Sequence, residues 1–447
     1  MNATGTAANR MERALRIVAY FLVVLAPLIL AAAGGDLAGA GTARIAGRAA
    51  ALLGFSLLLL QPVLSSRWGW IERPFGLDRV LRFHRATGAV GAALLLAHPF
   101  LLALASGSFR LLTSMDLPWY LVVGRAALLV LVLFALGALL HRALRLPFQW
   151  WMRAHNAFTP VVIAGAVAHS WAIHASFGST VTRLLWIALG ALSLFAYLHL
   201  TLYRRLRCRF RPYRVTSVKS DARGVWRLLL EPPGGRRRFQ YLPGQFAFIT
   251  LIRGRGLPAE EHPFTLASSP AGGPCLEIAP KELGDFTATI GETRPGDRVA
   301  VMAPFGRFSP LLHADHPGLV MIAGGIGITP MMSMIRYLRD TGVERRVQLV
   351  YGNRTEDDIA FRSELERIAA GENPPELELT HVLSSPGPGW DGARGYVDRK
   401  LLRGLVENPR ETAFYICGPP IMMRSVEAAL LGMGARGDDI HSERFSL

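Results

Sequence analysis

Six stretches in the first 202 residues consist almost wholly of apolar side chains, near 16–34, 46–64, 86–105, 119–140, 156–174 and 184–202. Each is close to the roughly 20 residues that a helix needs to cross a bilayer. In hydrocarbon a backbone must satisfy its own hydrogen bonds, so runs of this kind fold as helices. The reading is a six-helix transmembrane bundle over 16–203, preceded by a polar segment at 1–15. That segment leads into a span too long for the core of a signal peptide, so no cleavable signal is expected.

The chain carries 49 Lys and Arg against 33 Asp and Glu, a net charge of +16. Nucleic-acid binding is rejected as the main reason, because much of the charge flanks the apolar spans. Arg10, Arg13 and Arg16 precede the first span; Arg67, Arg73, Arg79, Arg82 and Arg85 separate the second from the third. Arg142, Arg145 and Arg153 separate the fourth from the fifth, and six arginines between Arg204 and Arg214 follow the sixth. The other side holds Arg44, Arg48, Arg110 and Arg183. The positive-inside rule then puts both termini in the cytoplasm. The segment 204–214 reads as a basic hinge lying against acidic headgroups.

Within this apolar half, His84 and His98 are 14 residues apart, and so are His155 and His169. Fourteen residues advance about 21 Å along a helix and leave the two side chains about 40° apart on one face. The derived topology runs the third and fifth spans in the same direction. It pairs His84 with His155 at the inner level and His98 with His169 at the outer level. Two helices so marked can clamp two haems, one above the other, with an imidazole on each side of each iron. The plain alternative is four structural histidines, yet ionisable groups inside a membrane are functional candidates by default. His141 and His199 read as solvated span ends, and His174 as an interfacial residue. Arg48 and Arg125 either snorkel or neutralise haem propionates.

Composition changes after the hinge. Residues 215–312 show short strands and Pro-Gly turns, which suggests a small antiparallel barrel. Residues 313–447 alternate strands with helical patterns, an α/β domain with a parallel sheet. Three cysteines, Cys208, Cys275 and Cys417, show neither metal-ligand spacing nor a disulfide framework, which suits a reducing compartment.

The barrel carries His262-Pro263-Phe264-Thr265, then Lys281-Glu282-Leu283-Gly284-Asp285-Phe286-Thr287. The α/β domain carries Gly324-Gly325-Ile326-Gly327-Ile328-Thr329-Pro330, then Cys417-Gly418-Pro419-Pro420, with Phe445 near the end. The glycines of the first α/β motif open a helix and permit close approach to a pyrophosphate, with Pro330 in the first turn. The pattern is not GxGxxG, so a Rossmann dehydrogenase is a poor match. Gly284 likewise lets backbone amides approach phosphate. The plain alternative there is a helix cap made by Asp285 or Thr287.

In this order the motifs resemble the ferredoxin–NADP reductase superfamily. The HPFT form joined to a six-span bis-haem half is similar to the ferric reductase and NADPH oxidase family, over nearly the whole chain. The resemblance implies FAD, NADPH or NADH, and two b-type haems. It puts His262 near the flavin pyrophosphate, Phe264 against the flavin, and the Thr265 hydroxyl at the flavin N5 edge. It puts the Cys417 thiol beside the nicotinamide C4 and Phe445 over the flavin face, although Ser446 and Leu447 extend beyond it here. Arg354 can pair with a 2′-phosphate. The following Glu356, Asp357 and Asp358 would repel that phosphate or pair with Arg354 themselves, and family context leans toward NADPH. The implied activity is electron transfer from cytoplasmic NAD(P)H to an outer acceptor, oxygen or ferric chelate, at a bacterial inner membrane. Short outer loops at 35–45, 106–118 and 175–183 favour oxygen over a siderophore or a docked protein. The sequence carries no calcium-binding loop and no Pro-rich or SH3-like region, so no obligatory cytosolic activator is expected.

Overall fold

The computed structural model describes residues 3–140, 143–144, 148–173, 179–236, 239–313, 316–371 and 375–444, with side chains from Met11 onward. His141, His174 and Phe445 lie outside the described residues. The chain divides into two compact units, one of Ala7–Arg205 and one of Leu206–Leu447 with Met1–Thr6, so the main boundary falls between Arg205 and Leu206.

The first unit is helical. Its long helices are α1 (Ala3–Ala33), α2 (Thr42–Ser65), α4 (Leu77–Ser106), α6 (Trp119–Leu140), α7 (Phe148–Ala172) and α8 (Thr180–Leu198). Short helices α3 (Gly69–Phe75) and α5 (Arg110–Thr113) fill two connections. Among the described residues, five helical runs are long and apolar enough to cross a membrane: Met11–Ala33, Thr42–Ser65, Leu77–Ser106, Trp119–Leu140 and Thr180–Phe210. Helix α7 has the length, at 25 residues, but carries Gln149, Arg153, His155, Asn156 and His169, which lower its apolar character. The core of the unit is built around α2, with Phe55, Leu59 and Leu60 buried beside Val24, Val80 and Trp186. Helix α4 packs most heavily on α2, and α7 on α6.

The short helix α9 (Arg204–Phe210) spans that boundary, and the second unit holds two six-stranded sheets. In the first, β1 (Tyr213–Ala222), β2 (Val225–Glu231), β3 (Phe246–Ile252), β4 (Glu261–Thr265), β5 (Leu276–Ile278) and β6 (Arg298–Phe305) run antiparallel. Their order is β4-β3-β6-β1-β2-β5, so β4 and β5 are the outer strands and the sheet is open by its pairing. Leu228, Leu230, Ile249, Leu251 and Leu266 fill its inner face at 0% exposure, which is what alternating strand residues do when one face is covered. A single helical turn, α10 (Asp285–Ala288), follows β5.

The second sheet has β7 (Gly318–Gly324), β8 (Arg346–Asn353), β9 (Glu376–Leu383), β10 (Ala393–Arg394), β11 (Thr412–Cys417) and β12 (Ile440–Glu443), all parallel. Helices α11 (Ile328–Asp340), α12 (Arg362–Ala369), α13 (Arg399–Leu405) and α14 (Pro420–Gly432) connect its strands. The order β10-β9-β8-β7-β11-β12 reverses direction at β7, so a crevice opens between the ends of β7 and β11. Both faces of a parallel sheet are covered, hence the near-continuous apolar run of β11, buried at all six positions.

Candidate cofactor sites

In the helical unit the four histidines meet as two pairs. The rings of His84 and His155 have centroids 6.4 Å apart at 80°, and those of His98 and His169 are 6.5 Å apart at 70°. Helix α4 packs mainly on α2 and α7 mainly on α6, so each ring pair joins two helices that rest chiefly on other neighbours. A metal held at about 2 Å from each imidazole nitrogen puts the ring centres about 6 Å apart, once about 1 Å from nitrogen to ring centre is added on each side. Both pairs meet that spacing.

Backbone carbonyls fix the rings. His84 Nδ1 lies 3.3 Å from Gln61 O, His98 Nδ1 lies 3.2 Å from Gly47 O, and His169 Nδ1 lies 2.9 Å from Tyr120 O. An Nδ1–H donated to a carbonyl leaves Nε2 with its lone pair free for a metal. Trp151 and Phe134 flank His155, with centroids at 5.6 and 6.0 Å. The chemistry fits bis-imidazole haem ligation at both levels.

Sequence reasoning missed the supports of this site. A Cβ on Gly124 would stand 2.4 Å from His169 Nδ1, so the glycine of α6 is what lets the imidazole lie there. In the sequence it is one more glycine in an apolar run. Arg125 bonds to loop backbone. It donates to Leu111 O at 2.9 Å, to Ser114 O at 2.7 Å and to Arg110 O at 3.2 Å, tying down the carbonyls around α5. Arg48 donates to Asp36 O. Both arginines thus hold loop backbone. His199 accepts from Trp68 Nε1 at 3.1 Å.

In the sheet domain, His262 and Phe286 stack at 4.1 Å and 18°, joining the HPFT strand to the Gly284–Thr287 turn. Arg253 lies 5.5 Å from the same Phe286 ring. His262 Nε2 lies 3.1 Å from Glu260 Oε2. Pro263 and Phe264 are half-buried on β4, while Thr265, at its end, is 8% exposed. Gly284 caps α10 in a left-handed conformation at φ 94°. The Thr287 hydroxyl, rather than Asp285, receives Leu283 N–H at 2.6 Å. Lys281 bridges to Val225 through its backbone.

The nucleotide crevice is made by backbone contact. A Cβ on Gly327 would come within 2.2 Å of Cys417 O, and one on Gly418 within 3.0 Å of the Gly324 backbone. These glycines let the loops after β7 and β11 touch, and Pro419 packs against Gly324 from the other side. Gly325 takes a positive φ of 52°, and its carbonyl accepts from the Tyr351 hydroxyl at 3.1 Å. Thr329 donates to Ile326 O at 3.0 Å, and Pro330 falls in the first turn of α11. Cys417 is at 0% exposure, opposite Ala323 on one side and Glu443 on the other. Burial, and then Glu443, push its thiol well up, so it is a neutral SH group. Arg354 is exposed just past β8. The acids beside it are engaged elsewhere: Glu356 with Arg362 at 3.0 Å, Asp357 with Arg223 at 2.9 Å, and Asp358 with the Thr355 hydroxyl at 2.7 Å.

Two family descriptions match the chain. Residues 50–166 match "Ferric reductase like transmembrane component" and residues 321–428 match "Oxidoreductase NAD-binding domain". A NADH-cytochrome b5 reductase-like protein of Emericella nidulans is 31% identical over 194 residues, 43% of this chain and 40% of that relative's length. The gamma subunit of sulfhydrogenase 1 from Pyrococcus furiosus is 30% identical over 245 residues, 51% of this chain and 79% of the relative. The FAD/NAD-binding domain of nitric oxide dioxygenase from Vibrio cholerae superposes with a TM-score of 0.47 at 23% identity, over 52% of this chain and 98% of that one.

Proposed function

From the premise that this chain belongs to the family that fuses a ferric-reductase-type transmembrane component to a ferredoxin–NADP reductase-like module, we propose that it carries electrons across a bacterial inner membrane. The donor is cytoplasmic NADPH, and the acceptor on the far side is oxygen, giving superoxide. The observation that carries this reading is the pair of imidazole clamps at 6.4 and 6.5 Å on two levels of one helix pair. On this reading α7 is the sixth crossing, with His155 and His169 turned to the haems, and the first sheet seats the flavin.

FAD bound here would supply hydride acceptance and single-electron release, and two b-type haems would supply single-electron transfer. The residues of the chain do the rest. His84 and His155 hold the inner iron, and His98 and His169 hold the outer one. The carbonyls of Gln61, Gly47 and Tyr120 keep three of the four rings oriented. Phe264 and the His262–Phe286 stack shape the flavin seat, with the Thr265 hydroxyl at its reactive edge. Gly284 and Thr287 face its phosphates, with Lys281 and Asp285 in the same turn. Gly324, Gly325, Gly327, Thr329, Pro330, Gly418 and Pro419 form the dinucleotide crevice. Cys417 would stand beside a bound nicotinamide as a neutral thiol, and Phe445 would be the aromatic that covers the flavin. Arg354 receives the 2′-phosphate, since the neighbouring acids are satisfied by other partners. Both termini face the cytoplasm, where the arginines concentrate. An inside-negative potential favours the export by about 2.3 kcal/mol per electron per 100 mV.

The test is an anaerobic visible spectrum of the purified full chain with FAD, before and after NADPH, followed by a pulse of oxygen. The reading expects a Soret shift sized for two haems, reversed by oxygen with superoxide formed. A shift that oxygen leaves untouched makes ferric chelate or an external protein the acceptor. A chain without a Soret band under full haem supply is a membrane-anchored flavin reductase instead.

A further inference from the structure

Away from both cofactor sites, the sheet domain and the α/β domain are joined by a half-buried ionic network that the electron path does not use. At its centre is Arg336 on α11, 6% exposed. Its Nε and Nη2 donate to the two oxygens of Glu364 on α12 at 2.7 and 2.6 Å. Its Nη1 crosses to the other domain, donating to Ala267 O at 2.9 Å and to Glu277 Oε1 at 3.2 Å. Arg227 on β2 forks onto the same Glu277 at 3.0 and 3.1 Å and reaches Asp221 at 3.2 Å. The other oxygen of Asp221 accepts Phe361 N–H at 2.7 Å, across the same boundary. Both guanidiniums lie over the Phe361 ring, at 4.6 and 5.3 Å. One turn before Arg336, Ser333 donates to Ser268 O at 2.8 Å.

Two features separate this network from simple adhesion. Apolar packing glues two domains at least as well as buried ion pairs do, because burying charge is costly. Bidentate forks fix angle and register as well. The second feature is where the network attaches. Helix α11 starts at the nucleotide glycines, and Arg336 lies nine residues after Gly327, about 13 Å along the axis. The carbonyls that Arg336 and Ser333 grip belong to Ala267 and Ser268, two and three residues beyond Thr265. One rigid helix therefore holds the nucleotide loop at one end and the continuation of the flavin strand further along.

We propose that Arg336, clamped by Glu364 and Glu277, is a positioning residue that sets the angle between the two domains, and with it the approach of the nicotinamide to the flavin. The inference rests on the reading that NADPH reduces a FAD bound in this unit. Hydride transfer needs reacting atoms about 3–3.5 Å apart, and a misplacement of about 1 Å costs on the order of 100-fold in rate. Arg336→Lys keeps the charge and loses the fork, and Glu364→Gln keeps the shape and loses the charge.

The experiment is anaerobic single-turnover reduction of FAD by NADPH in the full chain, comparing wild type, R336K and E364Q. Both variants are expected to keep their FAD and to bind NADPH within about twofold of wild type. Their limiting rate of flavin reduction falls about 10-fold or more, a loss confined to the chemical step. The long-wavelength nicotinamide–flavin charge-transfer band weakens in parallel. A wild-type limiting rate and band in both variants would overturn the proposal, as would a slowdown accounted for by lost FAD or weaker NADPH binding. If the wild type itself shows no flavin reduction by NADPH, the functional reading fails first and this inference falls with it.

Discussion

The two halves of this molecule build their sites by opposite means. In the helical unit the working groups are side chains, four imidazoles set into apolar helices and steered by backbone carbonyls. In the nucleotide crevice the working surface is backbone, and the decisive residues are those with no side chain. A polar group in an apolar span stands out because leaving it there unpaired is expensive. A glycine that permits two loops to touch looks like any other glycine until the loops are in place.

The widest contrast is expected from removing one imidazole. His169→Leu should eliminate the outer haem, leave about half of the Soret absorbance, and stop export to oxygen. Flavin reduction by NADPH should continue unchanged in that variant. Loss of both activities together would mean that the two halves are not the separate devices described above.

Adding the same methyl group to each half sharpens the comparison. In Gly327→Ala the new Cβ meets the Cys417 carbonyl at 2.2 Å, where only backbone can yield. Overpacking of this kind costs about 1–3 kcal/mol, so thermal stability and NADPH binding should fall together. In Gly124→Ala the Cβ meets the His169 ring at 2.4 Å, and a ring can turn. Its bond to Tyr120 O is then lost, and haem affinity at the outer level should drop about 10- to 100-fold with little change in melting of the second unit. Haem titration and calorimetry on the two variants distinguish these outcomes.

A smaller effect is expected from pH, in the second unit. His441 on β12 stacks on His313 at 3.6 Å. Burial, and then the neighbouring His313 and His316, push His441 down to about 3. Its folded value is thus below the unfolded value, near 6.5. The neutral ring supports the fold fully above about pH 6.5, and that support is lost progressively as pH falls toward 3, by up to about 1.4 kcal/mol per pH unit. Thermal melts at pH 7, 6 and 5 should show this slope, and His441→Asn should flatten it. An unchanged slope would exclude this ring as the acid-sensitive element.

The smallest effect is expected at the exposed edge. Arg354→Ala should raise KM for NADPH about tenfold, equivalent to about 1.4 kcal/mol, and leave KM for NADH nearly unchanged. Equal effects on both nucleotides would remove Arg354 from 2′-phosphate recognition.

The amino-acid sequence by itself determined the helices of the first half, since apolar runs of bilayer length have few other folds. It also pointed to the pairing of His84 with His155 and of His98 with His169, which the ring contacts repeat, because equal spacing on two helices puts like with like. The order of the reductase motifs was legible for the same reason, as each depends on local residue chemistry. Only the tertiary structure decided what supports those groups. Tyr120, Gly47 and Gln61 act through carbonyls that every residue has, Gly124 acts through empty space, and Arg125 bonds to loop backbone. The burial of Cys417 and the clamp on Arg336 likewise join residues from distant parts of the chain. Local chemistry is written in residue types, whereas close approach and orientation are properties of the assembled backbone.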